Sequence, residues 1–270
     1  MEFARKRISV IMGIYNCEQT LMEAVQSLMN QTFSEWNLIM CDDGSSDNTF
    51  QVAEAIEKKL PGRVLLLRNR ENKGLNYTLN KCLEKVNGEY VARMDADDIC
   101  SPSRFEKEAI FLDTHPEYAF VSSPMVLFDD SGEWGCDWGK EKPDGKDLII
   151  YRPFCHAACM IRTEALQSVG GYSVDRRLLR VEDLHLWMKL YEHGFLGYNI
   201  QEPLYMMRDD RNAYQRRRFK YRINESYVNM LTVKKLKLNP IYMVYAIKPV
   251  LIGLLPPGLY DLLHKSRLKT

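Results

Sequence analysis

Two hydrophobic periodicities alternate along the first hundred residues of the chain. Compact apolar runs with the length of a β-strand occupy residues 8–14, 36–41, 64–67 and 90–94. Segments in which apolar residues recur every three or four positions, the helical period, occupy residues 19–30, 48–59 and 75–86. Strands that alternate with helices in this way predict an α/β fold with a mostly parallel central sheet flanked by helices.

The pattern is less regular after residue 105. It predicts helices over 105–112, 164–169 and 182–193, and strands over 119–128 and 155–161. Residues 129–146 are rich in Gly, Trp and Asp and predict a loop. No internal repeat is found, and the length of 270 residues fits one large domain or one domain with an extension.

Polar loops follow three of the predicted strands. Ligands gather at the carboxyl ends of the strands in open α/β sheets, so loops 13–17, 42–47 and 95–98 should face one crevice. Asp43 is positioned to accept a hydrogen bond from a nucleobase while Tyr15 stacks on the base; the alternative is an ordinary Asp-Gly-Ser turn. The chain contains neither GxGxxG after its first strand nor GxxxxGK[ST], which disfavours dinucleotide dehydrogenases and P-loop NTPases.

The acidic loop at 95–98 suggests a cation site. Asp95 and Asp97 alternate with Ala96 at strand periodicity, so their carboxylates can converge on one divalent metal ion. Hard oxygen ligands that leave coordination positions open suit Mg²⁺ or Mn²⁺ bound to a diphosphate. The alternative is a solvated turn in which Asp98 caps the following helix.

Composition and charge extend this picture. With 270 residues and 46% hydrophobic content, the chain can bury a large core. Its net charge is +1, but residues 211–270 contain thirteen Lys or Arg and two acids, which leaves −10 on residues 1–210. The seven cysteines form no CxxC pair, so we expect reduced thiols in a cytoplasmic protein rather than disulfides or a zinc site.

Five segments together resemble the ordered motifs of the family 2 glycosyltransferases, which have the GT-A fold. They are Ile8-Ser-Val-Ile-Met-Gly-Ile-Tyr-Asn, Asp42-Asp43-Gly-Ser-Ser-Asp47, Glu71-Asn72-Lys73-Gly74, Ala92-Arg-Met-Asp95-Ala-Asp97-Asp98 and Val181-Glu182-Asp183-Leu-His-Leu-Trp187. Each motif is weak alone, whereas the five in this order are specific. The resemblance implies a GT-A catalytic domain over 1–210, with a nucleotide-sugar-binding half at 1–104 and an acceptor-binding half at 105–210. A helical extension follows over 211–270.

The resemblance assigns the donor site by position. Gly13, Tyr15 and Asp43 match the family's nucleobase pocket. The turn that contains Asn72 and Gly74 matches a segment beside the nucleoside. The implied donor is a nucleotide-diphosphate sugar, and we expect a UDP-sugar.

The metal ion and the catalytic base follow from the same resemblance. Asp95 and Asp97 match the family's DXD pair, with Asp97 as the expected direct ligand of Mn²⁺ or Mg²⁺ at the donor's diphosphate. Asp95 and Ala96 complete the donor-binding segment. Asp183 matches the carboxylate that removes the proton from the acceptor hydroxyl, and Glu182 supports it. Without the resemblance, an acidic pair in the first turn of a helix is explained by the helix dipole.

The implied function is an inverting glycosyltransferase that acts on a glycan or lipid-linked acceptor, as in surface polysaccharide, O-antigen or capsule synthesis. Two alternatives are a non-catalytic nucleotide-sugar-binding module and a sugar nucleotidyltransferase. The latter would need a Gly-rich basic loop after its first strand, and the chain has none. The chain departs from the family where Gly13 replaces a common Pro, where His185 replaces an acid, and where Asp209-Asp210-Arg211 replaces a frequent His. His156 is expected to be a structural histidine.

The extension combines basic residues with an apolar segment at 241–255, which Lys248-Pro249 interrupts and which is too short to span a bilayer. A basic cluster beside an apolar segment is typical of peripheral attachment to an anionic membrane, here the inner face of the plasma membrane. The alternative is a solvated helical hairpin that packs on the catalytic domain. Nucleic acid is not an expected partner, because no recognised motif accompanies the charge. The basic residues are Arg216, Arg217, Arg218, Lys220, Arg222, Lys234, Lys235 and Lys237.

Overall fold

The first four strands lie side by side in a parallel arrangement. They belong to a computed structural model that describes residues 3–209 and 218–254. The strands are Ile8–Ile14 (β1), Trp36–Asp42 (β2), Val64–Arg68 (β3) and Tyr90–Arg93 (β4), and the helices between them are Leu21–Met29 (α1), Thr49–Lys59 (α2) and Leu75–Leu83 (α3). Strand β1 pairs with β2 on one side and β4 on the other, and β3 extends the sheet beyond β2. Strand β2 is entirely buried, as expected for an apolar strand with helices on both faces.

The remaining elements complete the central sheet and build a second one. The strands are Ile99–Cys100 (β5), Tyr118–Ser122 (β6), Met125–Asp129 (β7), Gly132–Asp137 (β8), Met160–Arg162 (β9), Leu196–Asn199 (β10) and Tyr205–Arg208 (β11). The helices are Arg104–Thr114 (α4), Asp147–Ile150 (α5), Thr163–Ser168 (α6), Glu182–Glu192 (α7), Phe219–Lys235 (α8) and Met243–Gly253 (α9). The central sheet has the order β10-β6-β9-β4-β1-β2-β3, and the smaller sheet has the order β5-β11-β7-β8. Within the central sheet only β9 runs antiparallel to its neighbours, so the predicted mostly parallel sheet is confirmed.

The structure differs from the predicted pattern after residue 118. The single strand predicted at 119–128 is two strands in different sheets, and Pro124, which has no N–H for a strand ladder, lies between them. The loop predicted at 129–146 contains β8, which pairs antiparallel with β7. Of the strand predicted at 155–161, only the end is extended, in β9. The segment before β9 lines a cavity instead.

The strand order places a crevice beside β1. The chain goes from β1 to β2 and β3 on one side and then crosses to β4 on the other. Such a change of direction opens a crevice at the carboxyl ends of the two strands, where open α/β sheets bind ligands. The residues that follow β1 and β4 are therefore expected to face a shared site.

A buried ion pair fixes the end of β4. Arg104 and Glu108 on α4 are fully buried, with Arg104 Nε 3.2 Å from Glu108 Oε2. Arg104 Nη2 also donates to the carbonyl oxygens of Arg93 (3.0 Å) and Cys159 (3.2 Å). These bonds tie β4 to the segment before β9. The loop that carries Asp95 thus leaves from a rigid position.

The C-terminal helices pack on the rest of the molecule as a hairpin. Glu225 of α8 pairs with Arg152 (2.9 Å), and Asn224 donates to the carbonyl oxygen of Leu179 (3.0 Å). This agrees with the packed hairpin considered as an alternative for the extension. Within the described ranges, no helix has the length and apolar character needed to span a bilayer. Arg216, Arg217 and the 255–270 segment lie outside the described residues, and all seven cysteines are free thiols.

Candidate active site

Two adjoining cavities lie at the carboxyl ends of the central strands. The smaller has a volume of about 280 Å³, and the larger, a cleft, has a volume of about 1090 Å³. The two share part of their walls, formed by Leu75, Arg180, Glu182 and Tyr221. A ligand can therefore extend from one cavity into the other.

The smaller cavity contains the five residues predicted to bind the nucleoside. They are Gly13, Tyr15, Asp43, Asn72 and Gly74. Tyr15 is 49% exposed, which leaves its ring accessible to a stacking partner. Three loops that are distant in sequence thus meet around one cavity.

Asp43 organises the wall of this smaller cavity. Its buried carboxylate accepts hydrogen bonds from the backbone N–H groups of Lys73 (2.8 Å) and Gly74 (2.9 Å). The Asn69 side chain donates a third bond (2.8 Å). These bonds hold the turn at 72–74 against the end of β2. A carboxylate has about four acceptor positions, so Asp43 retains capacity for one further donor from a ligand.

Two residues with left-handed backbone conformations join the loop after β2 to the loops after β3 and β1. Gly44 has φ of +71°, and a Cβ atom there would lie 2.8 Å from the backbone carbon of Glu71. Only glycine combines this conformation with such a close approach. Asn16 has φ of +49°, and its side-chain oxygen accepts a hydrogen bond from the backbone N–H of Ser46 (2.9 Å).

Asp95 and Asp97 line the larger cleft. The Asp95 carboxylate accepts a hydrogen bond from Arg93 Nη2 at 2.6 Å, and the Arg93 side chain is buried. The Asp97 side chain is exposed to the cleft. Desolvation within the cleft and the adjacent Asp95 carboxylate raise the pKa of Asp97. Two carboxylates that repel each other in this way favour a bound cation.

Asp98 has a different role from its two neighbours. It is buried, and its carboxylate accepts hydrogen bonds from the Tyr205 hydroxyl (2.9 Å) and the Arg208 backbone N–H (2.8 Å). Tyr205 Oη also accepts a bond from the Asp95 N–H at 3.1 Å. Asp98 therefore anchors the acidic loop to β11. It does not cap α4, whose N-cap residue is Ser103.

The two cleft carboxylates fit a divalent cation that brings ligands of its own. In residues 3–209 and 218–254, no group of three or more His, Cys, Asp or Glu side chains is arranged to hold a metal ion. A metal ion bound by Asp95 and Asp97 would thus take most of its coordination from other oxygens. Mg²⁺ and Mn²⁺ bind diphosphates in this manner, through one or two carboxylates plus phosphate oxygens.

Glu182 and Asp183 begin α7 on another wall of the cleft. Both are half-buried; Glu182 lines both cavities, whereas Asp183 lines the cleft alone. Desolvation and the adjacent Asp183 carboxylate raise the pKa of Glu182. The helix N-terminus also stabilises this pair, but the position of both side chains in the cleft shows that they are accessible to a ligand.

His156 is a structural histidine whose ring also reaches the cleft. Its Nε2 lies 2.8 Å from the Tyr172 hydroxyl, and its ring packs edge-on against Trp187. Burial, together with the positive charge of Arg93, lowers the pKa of His156 well below its usual range. It is therefore neutral near pH 7. His185, on α7, lines neither cavity in the described part of the chain.

One predicted site residue lies elsewhere, and several site residues were not predicted. Ala96 is buried in the core, and its side chain lines neither cavity. Arg93 could have been recognised, because a strand places residue 93 on the same side as Asp95. Arg180 and Tyr221 carried no sequence signal. The segment after Arg208, where a His is frequent in the family, continues into residues that the structure does not describe.

A sequence model described as glycosyl transferase family 2 matches residues 9–170. EpsE of Bacillus subtilis, which is named as a glycosyltransferase, is 39% identical over 97% of this chain and 94% of its own length. WfaP of Escherichia coli is 25% identical over 71% of this chain and 73% of its own length. Its name describes a UDP-Glc:α-D-GlcNAc-diphosphoundecaprenol β-1,3-glucosyltransferase.

Solved structures show the same fold. TarS of S. aureus, in complex with UDP-GlcNAc, superposes with a TM-score of 0.71 at 17% identity, over 93% of this chain and 77% of that one. The mannosyltransferase PcManGT of Pyrobaculum calidifontis, in complex with GDP-Man and Mn²⁺, superposes with a TM-score of 0.67 at 16% identity. The match covers 97% of this chain and 80% of that one. The predicted GT-A fold is confirmed.

Proposed function

This chain belongs to glycosyl transferase family 2 and is a glycosyltransferase, and from that premise we propose that it transfers a sugar from a nucleotide-diphosphate sugar to an acceptor hydroxyl with inversion at the anomeric carbon. The observation that carries this proposal is the junction of the two cavities. A nucleoside bound beside Asp43 would extend its diphosphate into the cleft that Asp95 and Asp97 line. Asp183 lines the same cleft from α7.

The smaller cavity supports binding of the donor's nucleoside. Asp43 retains acceptor capacity for a base N–H, and Tyr15 offers a ring face. UDP is the proposed nucleotide, since TarS binds UDP-GlcNAc and WfaP is named for UDP-Glc.

Arg180 is proposed to contact the donor's diphosphate. The proposal is supported by its position, because Arg180 lines both cavities. Its backbone has φ of +66°, a conformation that non-glycine residues seldom adopt and that is enriched at active sites. A guanidinium there would stabilise the negative charge that develops on the leaving diphosphate.

Asp95 and Asp97 would hold the metal ion, for which we propose Mn²⁺ or Mg²⁺. When bound, such an ion supplies Lewis-acid stabilisation of the leaving diphosphate. Arg93 fixes one oxygen of Asp95, and the Tyr205 hydroxyl fixes the loop backbone at the same residue. The chain thus orients its acidic pair before a ligand arrives.

Asp183 is the proposed general base, with Glu182 in support. It lines the cleft and not the nucleoside cavity, so an acceptor hydroxyl in the cleft can reach it. A base in hydrogen-bond contact with the acceptor hydroxyl can take its proton as the new glycosidic bond forms. If the leaving group departs from the opposite face of the sugar, this single displacement inverts the anomeric carbon.

A screen of donors tests the proposed function. We expect the purified protein with Mn²⁺ to hydrolyse one UDP-sugar slowly and to release UDP, since water enters a cleft that lacks acceptor. The measurement is nucleotide release across UDP-, GDP- and dTDP-sugars, with each reaction repeated in EDTA. Release from GDP- or dTDP-sugars alone would reject UDP as the nucleotide. Absence of nucleotide release from all three donor classes, together with no binding of UDP by calorimetry, would reject the donor site.

The acceptor is proposed to be a lipid-linked or polymeric glycan at the inner face of the plasma membrane. Helix α9 supports membrane contact, because an apolar stripe on it faces solvent. The stripe consists of Val244, Ile247 and Leu251, and Ile241 in the turn before α9 continues it; each is more than half exposed. Lys248 of α9 and Lys234, Lys235 and Lys237 near the end of α8 are exposed as well. This combination is typical of helices that bind anionic lipid.

The double substitution Val244→Glu/Leu251→Glu should weaken binding to vesicles that contain phosphatidylglycerol on the order of tenfold or more. It removes apolar groups that would insert into the lipid, and it adds negative charge that anionic lipid repels. Cosedimentation with vesicles measures the change. Ile110→Glu is a matched control, since Ile110 is 55% exposed on α4. Equal cosedimentation of the double variant and the control would contradict membrane contact through α9.

A further inference from the structure

Two of the arginines that line the larger cleft, Arg152 and Arg218, have no part in the proposed donor site. Arg152 and Arg218 contribute to the cleft but not to the smaller cavity. They come from different elements: Arg152 follows α5, and Arg218 is the N-cap residue of α8. The mechanism proposed above uses neither of them.

The position of Arg152 against α8 brings the two side chains to one wall. Arg152 Nη2 lies 2.9 Å from Glu225 Oε2, and Arg222 Nη1 lies 3.6 Å from the same oxygen. Residues 218 and 225 are two helical turns apart on one face of α8, about 10 Å along the axis. The Glu225 carboxylate therefore holds Arg152 against the helix that begins beside Arg218.

The Arg152 side chain also has unused hydrogen-bonding capacity. Its Nε is buried and has no hydrogen-bond partner among residues 3–209 and 218–254. Its backbone has φ of +53°, and Arg180, the other arginine with positive φ in the described part of the chain, lines this cleft too. Buried N–H groups are almost always hydrogen-bonded in folded proteins. The Arg152 guanidinium therefore keeps a donor that its pair with Glu225 does not use.

The start of α8 contributes positive potential to the wall. A helix N-terminus carries partial positive charge and is normally capped by Ser, Thr, Asp or Asn. Here the cap is Arg218 without a side-chain cap bond, and the first turn contains Lys220 and no acid. This arrangement is unfavourable for the isolated helix and becomes favourable when an anion lies in the cleft.

We propose that Arg152 and Arg218 bind a phosphate or diphosphate group carried by the acceptor, so that the enzyme recognises a sugar whose linker is anionic. Guanidinium groups bind phosphate oxygens in pairs and are suited to this recognition. The proposal rests on the proposed function, because it assigns the cleft to the acceptor. It names the acceptor's chemical class and leaves the sugar open.

Calorimetry on the UDP-loaded protein tests this proposal. UDP and Mn²⁺ are held in excess so that the donor site is filled, and octyl diphosphate is then titrated. Octyl glucoside serves as the uncharged probe of equal chain length, and inorganic phosphate as the free anion. We expect octyl diphosphate to bind at least about tenfold more tightly than either.

Arg152→Gln and Arg218→Gln should each weaken octyl diphosphate binding on the order of tenfold, with UDP affinity unchanged. Lys220→Gln is the matched control, because Lys220 lies in the same helical turn and does not line the cleft. We expect it to change the affinity less than about twofold. Arg218 is exposed, so its variant stays informative if loss of the Arg152–Glu225 pair lowers the unfolding temperature.

Three outcomes would overturn the inference. They are wild-type affinity for octyl diphosphate in both arginine variants, equal affinity for octyl glucoside, and inorganic phosphate that binds as tightly as octyl diphosphate. The last would indicate a site for free phosphate. If the wild-type protein does not bind UDP, the proposed function is rejected instead. Failure of the inference and failure of the proposed function are therefore distinguishable.

Discussion

Asp183→Asn should lower the rate of sugar transfer by about 10²- to 10⁴-fold, the range expected when a general base is removed. The amide has the size of the carboxylate but cannot take the proton of the acceptor hydroxyl. Asp183 does not line the smaller cavity, so the Kd for UDP should change by less than about twofold. Transfer is measured as UDP release with acceptor present, and binding by calorimetry with Mn²⁺.

Glu182→Gln provides the comparison for this experiment. The two side chains are neighbours in the first turn of α7, and both are half-buried, so general effects on the helix are similar. If Glu182 has the supporting role, Glu182→Gln should lower the rate of transfer less than Asp183→Asn does. A larger loss in Glu182→Gln would exchange the two roles. Full transfer by Asp183→Asn would remove Asp183 from the mechanism.

Asp97→Ala should abolish the effect of Mn²⁺ on donor binding. In the wild-type protein we expect Mn²⁺ to tighten UDP binding on the order of tenfold or more, because the ion offsets repulsion between the acidic pair and the diphosphate. Without Asp97 the Kd values with and without Mn²⁺ should converge. The measurement is calorimetric titration of UDP in Mn²⁺ and in EDTA.

Asp137→Ala is the control for Asp97→Ala, because Asp137 lines the same cleft from β8 and is not part of the acidic pair. We expect it to retain the response to Mn²⁺. Thermal unfolding should show both variants folded, since neither side chain is in the buried core. An unchanged response to Mn²⁺ in Asp97→Ala would exclude this carboxylate as a metal ligand.

The sequence determined the first half of the fold closely because its signals are local. Strands β1, β2 and β4 are buried on both faces and β3 is half-buried at the sheet edge; all four appear as apolar runs, and the helices between them have a clear period. The apolar run at 119–128 is equally clear but is divided between two sheets at Ser123 and Pro124. Strand β8 contains Gly and Asp and exists through pairing with β7, which no local pattern reveals.

The site likewise combines residues that local sequence predicts with residues that depend on tertiary packing. The residues predicted from loops after β1, β2 and β4 meet around the two cavities, with the exception of Ala96. Arg180 and Tyr221 were not predicted, because their positions depend on how α8 packs against the loop before α7. The roles assigned to Asp43, Asp97 and Asp183 remain predictions, and their proximity supports them. The predicted division at residue 210 likewise remains a prediction.

Tyr221 of α8 forms part of the wall of the smaller cavity, although the family model ends at residue 170. The C-terminal hairpin is therefore not an interchangeable module. If the smaller cavity binds the donor and α9 binds the membrane, as proposed, exchanging this hairpin would change part of the donor pocket and the membrane contact together. The choice of donor and the location of the enzyme would then evolve together.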